Sequence, residues 1–296
     1  MEVALNTEAV LEEGDVIMGV NRYGTSTWAE TSRIDAQTRD GSPRSYFLKD
    51  TLPGIAPRPR GYGEWQDRKG TYFFVCDYLN ITHELPDPVQ LGKKLAELHR
   101  KSQSPNGKFG FHCTTYDGEK PLNTTWDDSW TSFFKRLMND VYQLEKKVNG
   151  LWQELDDVMQ ITLEHLIPRL LDPLTTEGRS IKPCLIHGDL WESNIGTDEF
   201  TDEIYIYDAC AYYAHHEKEV GIWRCAHHQM TDKTYRDEYF KNYPPSEPRD
   251  EADDRNRLYS VETLIMNSLA FPGAKTRQLA FEELSYLINK YLKDGD

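Results

Sequence analysis

In "CLIHGDLWESNIG", residues 184–196, a histidine, an aspartate and an asparagine stand at His187, Asp189 and Asn194 directly after a short apolar run. Phosphoryl transfer to a hydroxyl needs a carboxylate to accept the proton and oxygen ligands for Mg²⁺, and H-x-D-x-x-x-x-N is a spacing that supplies them. Fourteen residues past Asn194, "IYIYD" ends in Asp208, and a strand end is where a carboxylate can project into a cleft. The pattern predicts Asp189 as catalytic base, with Asn194 and Asp208 as metal ligands. An isolated Asp or Asn near a helix start is more often a cap; the three together carry the chemical reading. His187 is assigned to hold the loop through hydrogen bonds to backbone, since no Ser or Cys nucleophile with a partnering base can be picked out.

Such a loop needs a partner element that holds ATP. "SYFLK" places Lys49 at the end of an apolar strand, where a phosphate-pairing lysine belongs, and "NRYGTSTWAE" has Gly24 at a strand-to-strand turn able to cover phosphates. Without GxGxxG, Gly24 is equally an ordinary turn, and Lys49 by itself reads as a solvated edge lysine. Their position ahead of the loop favours the nucleotide. "FFVCDYLN" then leaves the sheet toward the first helix, so Asp77, Tyr78 and Leu79 are the expected hinge at which backbone groups meet adenine.

The elements that must position these residues fall into two regions, 1–79 and 80–296. From Val16 to Tyr78 the pattern is short and alternating, with turns at Asp40-Gly41 and at "DRKG", which predicts an antiparallel sheet. After Leu79 the apolar period becomes helical. "DPVQLGKKLAELHRKS" sets Val89, Leu91, Leu95 and Leu98 along one expected face, and "WTSFFKRLMNDVYQLEKKV" and "LWQELDDVMQITLEHLIPRLL" predict longer helices. Residues 258–291 return to helix with a break at "FPGAK". The fold class expected is α+β: a two-lobed, kinase-like arrangement with a small antiparallel lobe and a larger helical one.

The totals are compatible with that division. A chain of 296 residues, 38% hydrophobic and 12% aromatic, can bury a sizeable core. Its 49 acidic against 34 basic residues give a net charge of −15, which disfavours nucleic acid and anionic membrane partners. Five dispersed cysteines with no CxxC pair suggest reduced thiols. With no signal-peptide pattern and no span of bilayer length, a cytoplasmic protein is expected.

"KFGFHCTTYDG", "TWDDSWTSFFKRL", "LIHGDLWESNI", "YIYDACAYYAHHEKEVGI" and "DDRNRLYS" resemble, in order, the signature segments of the fructosamine kinase (ketosamine-3-kinase) family, especially its fungal members. The resemblance implies a fold like that of aminoglycoside phosphotransferases. It also implies ATP-dependent phosphorylation of the sugar 3-hydroxyl of ketosamines carried on small amines or protein lysines, giving an unstable product that frees the amine. On this resemblance Asp189 is the base, Asn194 and Asp208 bind metal, and Trp191 is a candidate sugar platform, with core packing the equal alternative. His215, Glu217 and Glu219 match family positions and are expected to brace the strand bearing Asp208. "AHHEKE" and His227-His228 do not complete a familiar zinc ligand set. "TWDDSW" reads as a capped helix start with two packing tryptophans. "RYGTSTW" lacks the cysteine some members carry in the phosphate loop, so no disulfide dimer is expected and a monomer is.

One segment departs from the family. Kinases follow the lysine strand with a helix whose glutamate pairs with that lysine. Here "DTLPGIAPRPRGYG" follows Lys49, six residues separate it from Ala56, and Pro53 and Gly54 oppose helix. A helix of ten residues does not fit, which predicts impaired activity. Two other readings stand beside the ketosamine kinase: a pseudokinase or binding module, and a kinase of aminoglycoside- or choline-type alcohols.

Overall fold

The computed structural model describes residues 16–22, 32–37, 43–47, 54–64, 72–82 and 84–292. Gly24 and Lys49 lie outside the described residues, and so do residues 48–53. The chain divides into two compact units. One comprises the described residues up to Pro86 together with Ser193–Asp208, and the other comprises Asp87–Glu192 and the described residues from Ala209 onward. The division thus falls beyond Leu79 and returns a later segment, 193–208, to the first unit.

In the first unit, β1 (Val16–Arg22), β2 (Ser32–Gln37), β3 (Pro43–Phe47), β4 (Pro59–Glu64) and β5 (Tyr72–Asp77) form an antiparallel sheet in the order β1-β2-β3-β5-β4. The strands flanking Asp40-Gly41 pair with Ile34 opposite Tyr46, and those flanking "DRKG" pair with Glu64 opposite Tyr72. Between β3 and β4 the described residues 54–58 contain a turn and an isolated bridge, with no helix.

A second sheet of this unit joins β6 (Ile81–Thr82) to two later strands, β10 (Ile195–Asp198) and β11 (Ile204–Ile206), in the order β11-β10-β6. Gly196 permits this pairing, because a Cβ there would come 2.0 Å from the Ile81 side chain. Buried Asp198 closes the β10–β11 turn by accepting from the N–H groups of Phe200 (3.1 Å) and Thr201 (3.0 Å). Its other oxygen accepts from the Asn80 N–H at 3.3 Å.

The second unit is mainly helical. α1 (Pro88–Lys101) starts from Asp87, whose carboxylate caps the Gln90 N–H at 2.8 Å, with Pro88 at the first turn where a missing N–H costs nothing. Leu91, Leu95 and Leu98 are buried, whereas Val89 is 54% exposed. At 3.6 residues per turn Val89 lies roughly 200° from Leu91, so it leaves the apolar face the sequence assigned to it. The hairpin β7 (Thr115–Asp117) and β8 (Lys120–Leu122) precedes α2 (Trp130–Asn149). Ser129 caps α2 through the Ser132 N–H, and Trp130 is buried with its indole N–H on the Tyr259 hydroxyl at 2.9 Å.

The long helical stretch expected over 151–171 is interrupted. α3 (Gln153–Ile161) widens into a π-type turn, Thr162–Leu166, before α4 (Ile167–Leu171). Pro168 has no N–H to give the carbonyl four residues back, and a wider turn accommodates it. β9 (Cys184–Ile186) and β12 (Tyr212–Ala214) pair antiparallel, then α5 (Lys233–Asn242), α6 (Ala252–Ala270) and α7 (Thr276–Tyr291) follow, with the break expected at residues 271–275. Phe133, Phe134, Met138, Leu166, Leu258, Ile265 and Leu284 are core residues of this unit. No helix among the described residues is long and apolar enough to cross a membrane.

Candidate active site

β9 delivers the loop that begins at His187, and β12 lies beside it with Ile186 opposite Tyr212. Gly188 takes φ 85°, and a Cβ there would come 2.7 Å from the Cys210 sulfur, so both the backbone and the space require glycine. The buried carboxylate of Glu219 accepts the N–H of His187 at 2.6 Å and that of Gly188 at 3.0 Å. His99 Nε2 stands 3.4 Å from the same carboxylate, and its Nδ1 is 2.7 Å from the Tyr239 hydroxyl. Burial acts to raise the pKa of Glu219, but the hydrogen bond and charge of His99, with those of His187, outweigh it and hold the carboxyl below its ordinary value.

On the far side of Asp189 the Leu190 carbonyl accepts from the Trp223 indole at 2.8 Å. His187 Nδ1 accepts from the N–H of Asp189 at 3.3 Å, the loop-holding role its position suggested. Main-chain groups on both sides of Asp189 are therefore anchored, which fixes where its half-buried side chain starts.

Glu219 and Trp223 were missed as anchors of this loop. Glu217 and Glu219 share a short 3₁₀ segment, His216–Arg224, and the sequence reading had both bracing the strand before Asp208. At three residues per turn, side chains two apart diverge. Glu219 accordingly turns to the loop, whereas Glu217 pairs through both oxygens with Arg255 at 2.8 Å. Their spacing was the signal available for this split. His99, far away on α1, offered none.

In the first unit Asn194 is buried at the end of a 3₁₀ turn, and its carbonyl accepts the Tyr207 N–H at 3.0 Å. That bond brings the segment of Asn194 beside that of Asp208. Asp208 is exposed and takes φ 62°, a left-handed backbone that few residues other than glycine adopt, though Asp tolerates it better than most. Burial, reinforced by the charge of Asp208, pushes the Tyr207 phenol up to about 12. A carboxylate and a side-chain amide offer hard oxygen donors of the kind Mg²⁺ takes.

Asp77 ends β5 with its N–H on the Arg58 carbonyl at 2.8 Å and its carboxylate on Arg60, so its side chain serves the sheet. Tyr78 and Leu79 are half-buried where the chain leaves that sheet. Trp191 is half-buried too, unlike Trp130 and Trp223 in the core, and its ring centroid lies 5.5 Å from that of His228.

His215, His216 and Glu217 bring three potential metal-ligand atoms within 4.8 Å of one another. Those atoms are already engaged. His215 bonds the Tyr259 and Ser246 hydroxyls at 2.9 Å each, His216 Nδ1 bonds Tyr239 at 2.8 Å, and Glu217 takes Arg255 and the Ser246 N–H. The cluster is a filled hydrogen-bond network.

Residues 46–292 match the fructosamine kinase family. Over 205 residues the chain is 30% identical to the chloroplastic protein-ribulosamine 3-kinase of Arabidopsis thaliana, a match covering 69% of this chain and 58% of that protein. The chain thus spans about three fifths of that relative. A protein assigned as a fructosamine-3-kinase from Thermobifida fusca shares the fold, with a TM-score of 0.67 at 19% identity over 92% of this chain and 94% of that one. A thermostable aminoglycoside phosphotransferase solved with AMP-PNP and hygromycin B shares it at a TM-score of 0.56 and 12% identity, over 94% of this chain and 95% of that one.

Proposed function

The chain belongs to the fructosamine kinase family, and from that premise we propose that it is an ATP- and Mg²⁺-dependent kinase acting on the 3-hydroxyl of ketosamines, on small amines or on glycated proteins. The observation that carries this reading is the anchored loop. Glu219, His187 and Trp223 hold the main chain on either side of Asp189, in a chain whose relatives include a protein-ribulosamine 3-kinase.

In this reading Asp189 orients the acceptor hydroxyl and accepts its proton as the bond to phosphorus forms. Asn194 and Asp208 hold Mg²⁺, which when bound offsets charge on the phosphates. Lys49 and Gly24 meet the phosphates, and the backbone of Asp77, Tyr78 and Leu79 meets adenine, as the AMP-PNP complex of a protein sharing this fold encourages. Trp191 offers a face to the sugar. Loss of the phosphate frees the amine, so the protein serves deglycation as a cytoplasmic monomer. In sequence, the segment after Lys49 is too short for the glutamate-bearing helix that follows the lysine strand in kinases, and on this reading turnover is slowed.

The test is MgATP consumption with a panel of ketosamines, against Asp189→Asn. Ketosamine-dependent turnover in the parent and not in the variant supports the reading. ATP binding with turnover no higher than the variant's makes the chain a binding module, and a preference for aminoglycosides or choline overturns the substrate.

A further inference from the structure

Glu192, three residues past Asp189, stands outside the groups proposed above for phosphoryl transfer. Its side chain is nine-tenths buried, at 10% exposure, and Oε2 is sealed from solvent with no hydrogen-bond partner among the described residues. The basic atom facing that oxygen, His228 Nδ1, stands 3.8 Å away, beyond hydrogen-bond range. Neither neighbouring imidazole supplies a counter-charge at neutral pH. Burial, with help from His227, pushes His228 down to about 4, and burial lowers His227 as well.

A carboxylate with one oxygen shut away from water, and no cation on that oxygen among the described residues, is costly, and folded proteins rarely keep one to no purpose. The surroundings indicate what would compensate it. The His228 ring lies 5.5 Å from the Trp191 ring and 4.1 Å from that of His227. A carboxylate, an indole face and neutral imidazoles together complement an alkylammonium: the first offsets its charge, the second attracts it by cation–π interaction, and the third can accept its protons. Sugar hydroxyls are neutral and would leave the anion uncompensated.

We infer that Glu192, backed by His228 and flanked by Trp191, receives the protonated amine that a ketosamine carries beside its sugar, and so selects cationic acceptors over neutral ones. The inference rests on the reading of Asp189 as the base for such an acceptor.

The experiment compares a fructosyl alkylamine with its isosteric ether, in which oxygen replaces the amine nitrogen, on the full chain and on Glu192→Gln and Glu192→Asp. Binding is followed by calorimetry and turnover by ADP release. In the parent the amine is preferred by roughly 30-fold or more. Glu192→Gln collapses that ratio toward one through KM, and Glu192→Asp restores part of it. Equal preference in parent and Glu192→Gln overturns the inference, as does an equal loss for both ligands. If the parent turns over neither compound, the kinase reading fails, yet calorimetry still decides this one: a charge preference abolished in Glu192→Gln supports it, and no preference overturns it.

Discussion

Of the histidine–glutamate clusters among the described residues of the helical unit, two differ in what their polar atoms meet. In the first, His215, His216 and Glu217 are buried and engaged with Tyr259, Ser246, Tyr239 and Arg255. In the second, Glu192 faces His228 across 3.8 Å and keeps an oxygen without a partner. Residue type is the same in both. Hydrogen-bond satisfaction separates a strut from a receptor, because a filled network has nothing left to offer a ligand whereas an uncompensated anion does.

The contrast is sharpest in how stability and activity part company. Asp189→Asn should lower turnover about 10²–10⁴-fold while leaving the unfolding transition unchanged, since in the proposed reading it removes only the proton acceptor; paired kinetics and calorimetry check it. Glu217→Ala should do the reverse. It leaves the Arg255 guanidinium buried without its carboxylate and should cost about 3–5 kcal/mol in denaturant unfolding, with activity per folded molecule retained below the transition.

Acidification should weaken the first cluster more gradually. Burial, then the nearby Arg255, holds His215 well below its ordinary 6.5, and burial, then His215, does the same for His216. The folded chain thus binds fewer protons than the unfolded one below pH 6.5, so stability is full above that value and is lost as pH falls. Each imidazole contributes a slope of about 1.4 kcal/mol per pH unit, readable as a falling Tm between pH 6.5 and 5. The smallest effect is expected at the second cluster. Glu192→Gln should change stability by no more than about 1 kcal/mol, or raise it, because no hydrogen bond among the described residues holds the oxygen it alters. A loss of 3 kcal/mol there would erase the contrast.

The sheet and the helices were legible in sequence because each is local, an alternation or a 3.6-residue stripe, and the five positions from Asp189 to Asn194 are as local a pattern, though their proposed chemistry awaits its test. What holds the loop was not. Glu219 reaches back 32 positions to the His187 N–H, and Arg255 bonds Glu217 across 38. Such partnerships depend on where α6 and the 3₁₀ segment come to rest, and no window of the sequence contains both ends. The interruption at Thr162–Leu166 lay nearer the surface of the text, since Pro168 announces it. Val89 erred in the opposite sense: an apolar residue on the wrong side of a correctly read helix.

Segment 193–208 pairs with β6, more than a hundred positions earlier. During synthesis on a ribosome, β6 must therefore wait through the whole of α1 to α4 before its partner emerges. The amino-terminal unit cannot be finished first, although it begins first. Neither unit is one uninterrupted run of chain, so a protein cut at Pro86 inherits an incomplete sheet on one side and an orphaned hairpin on the other.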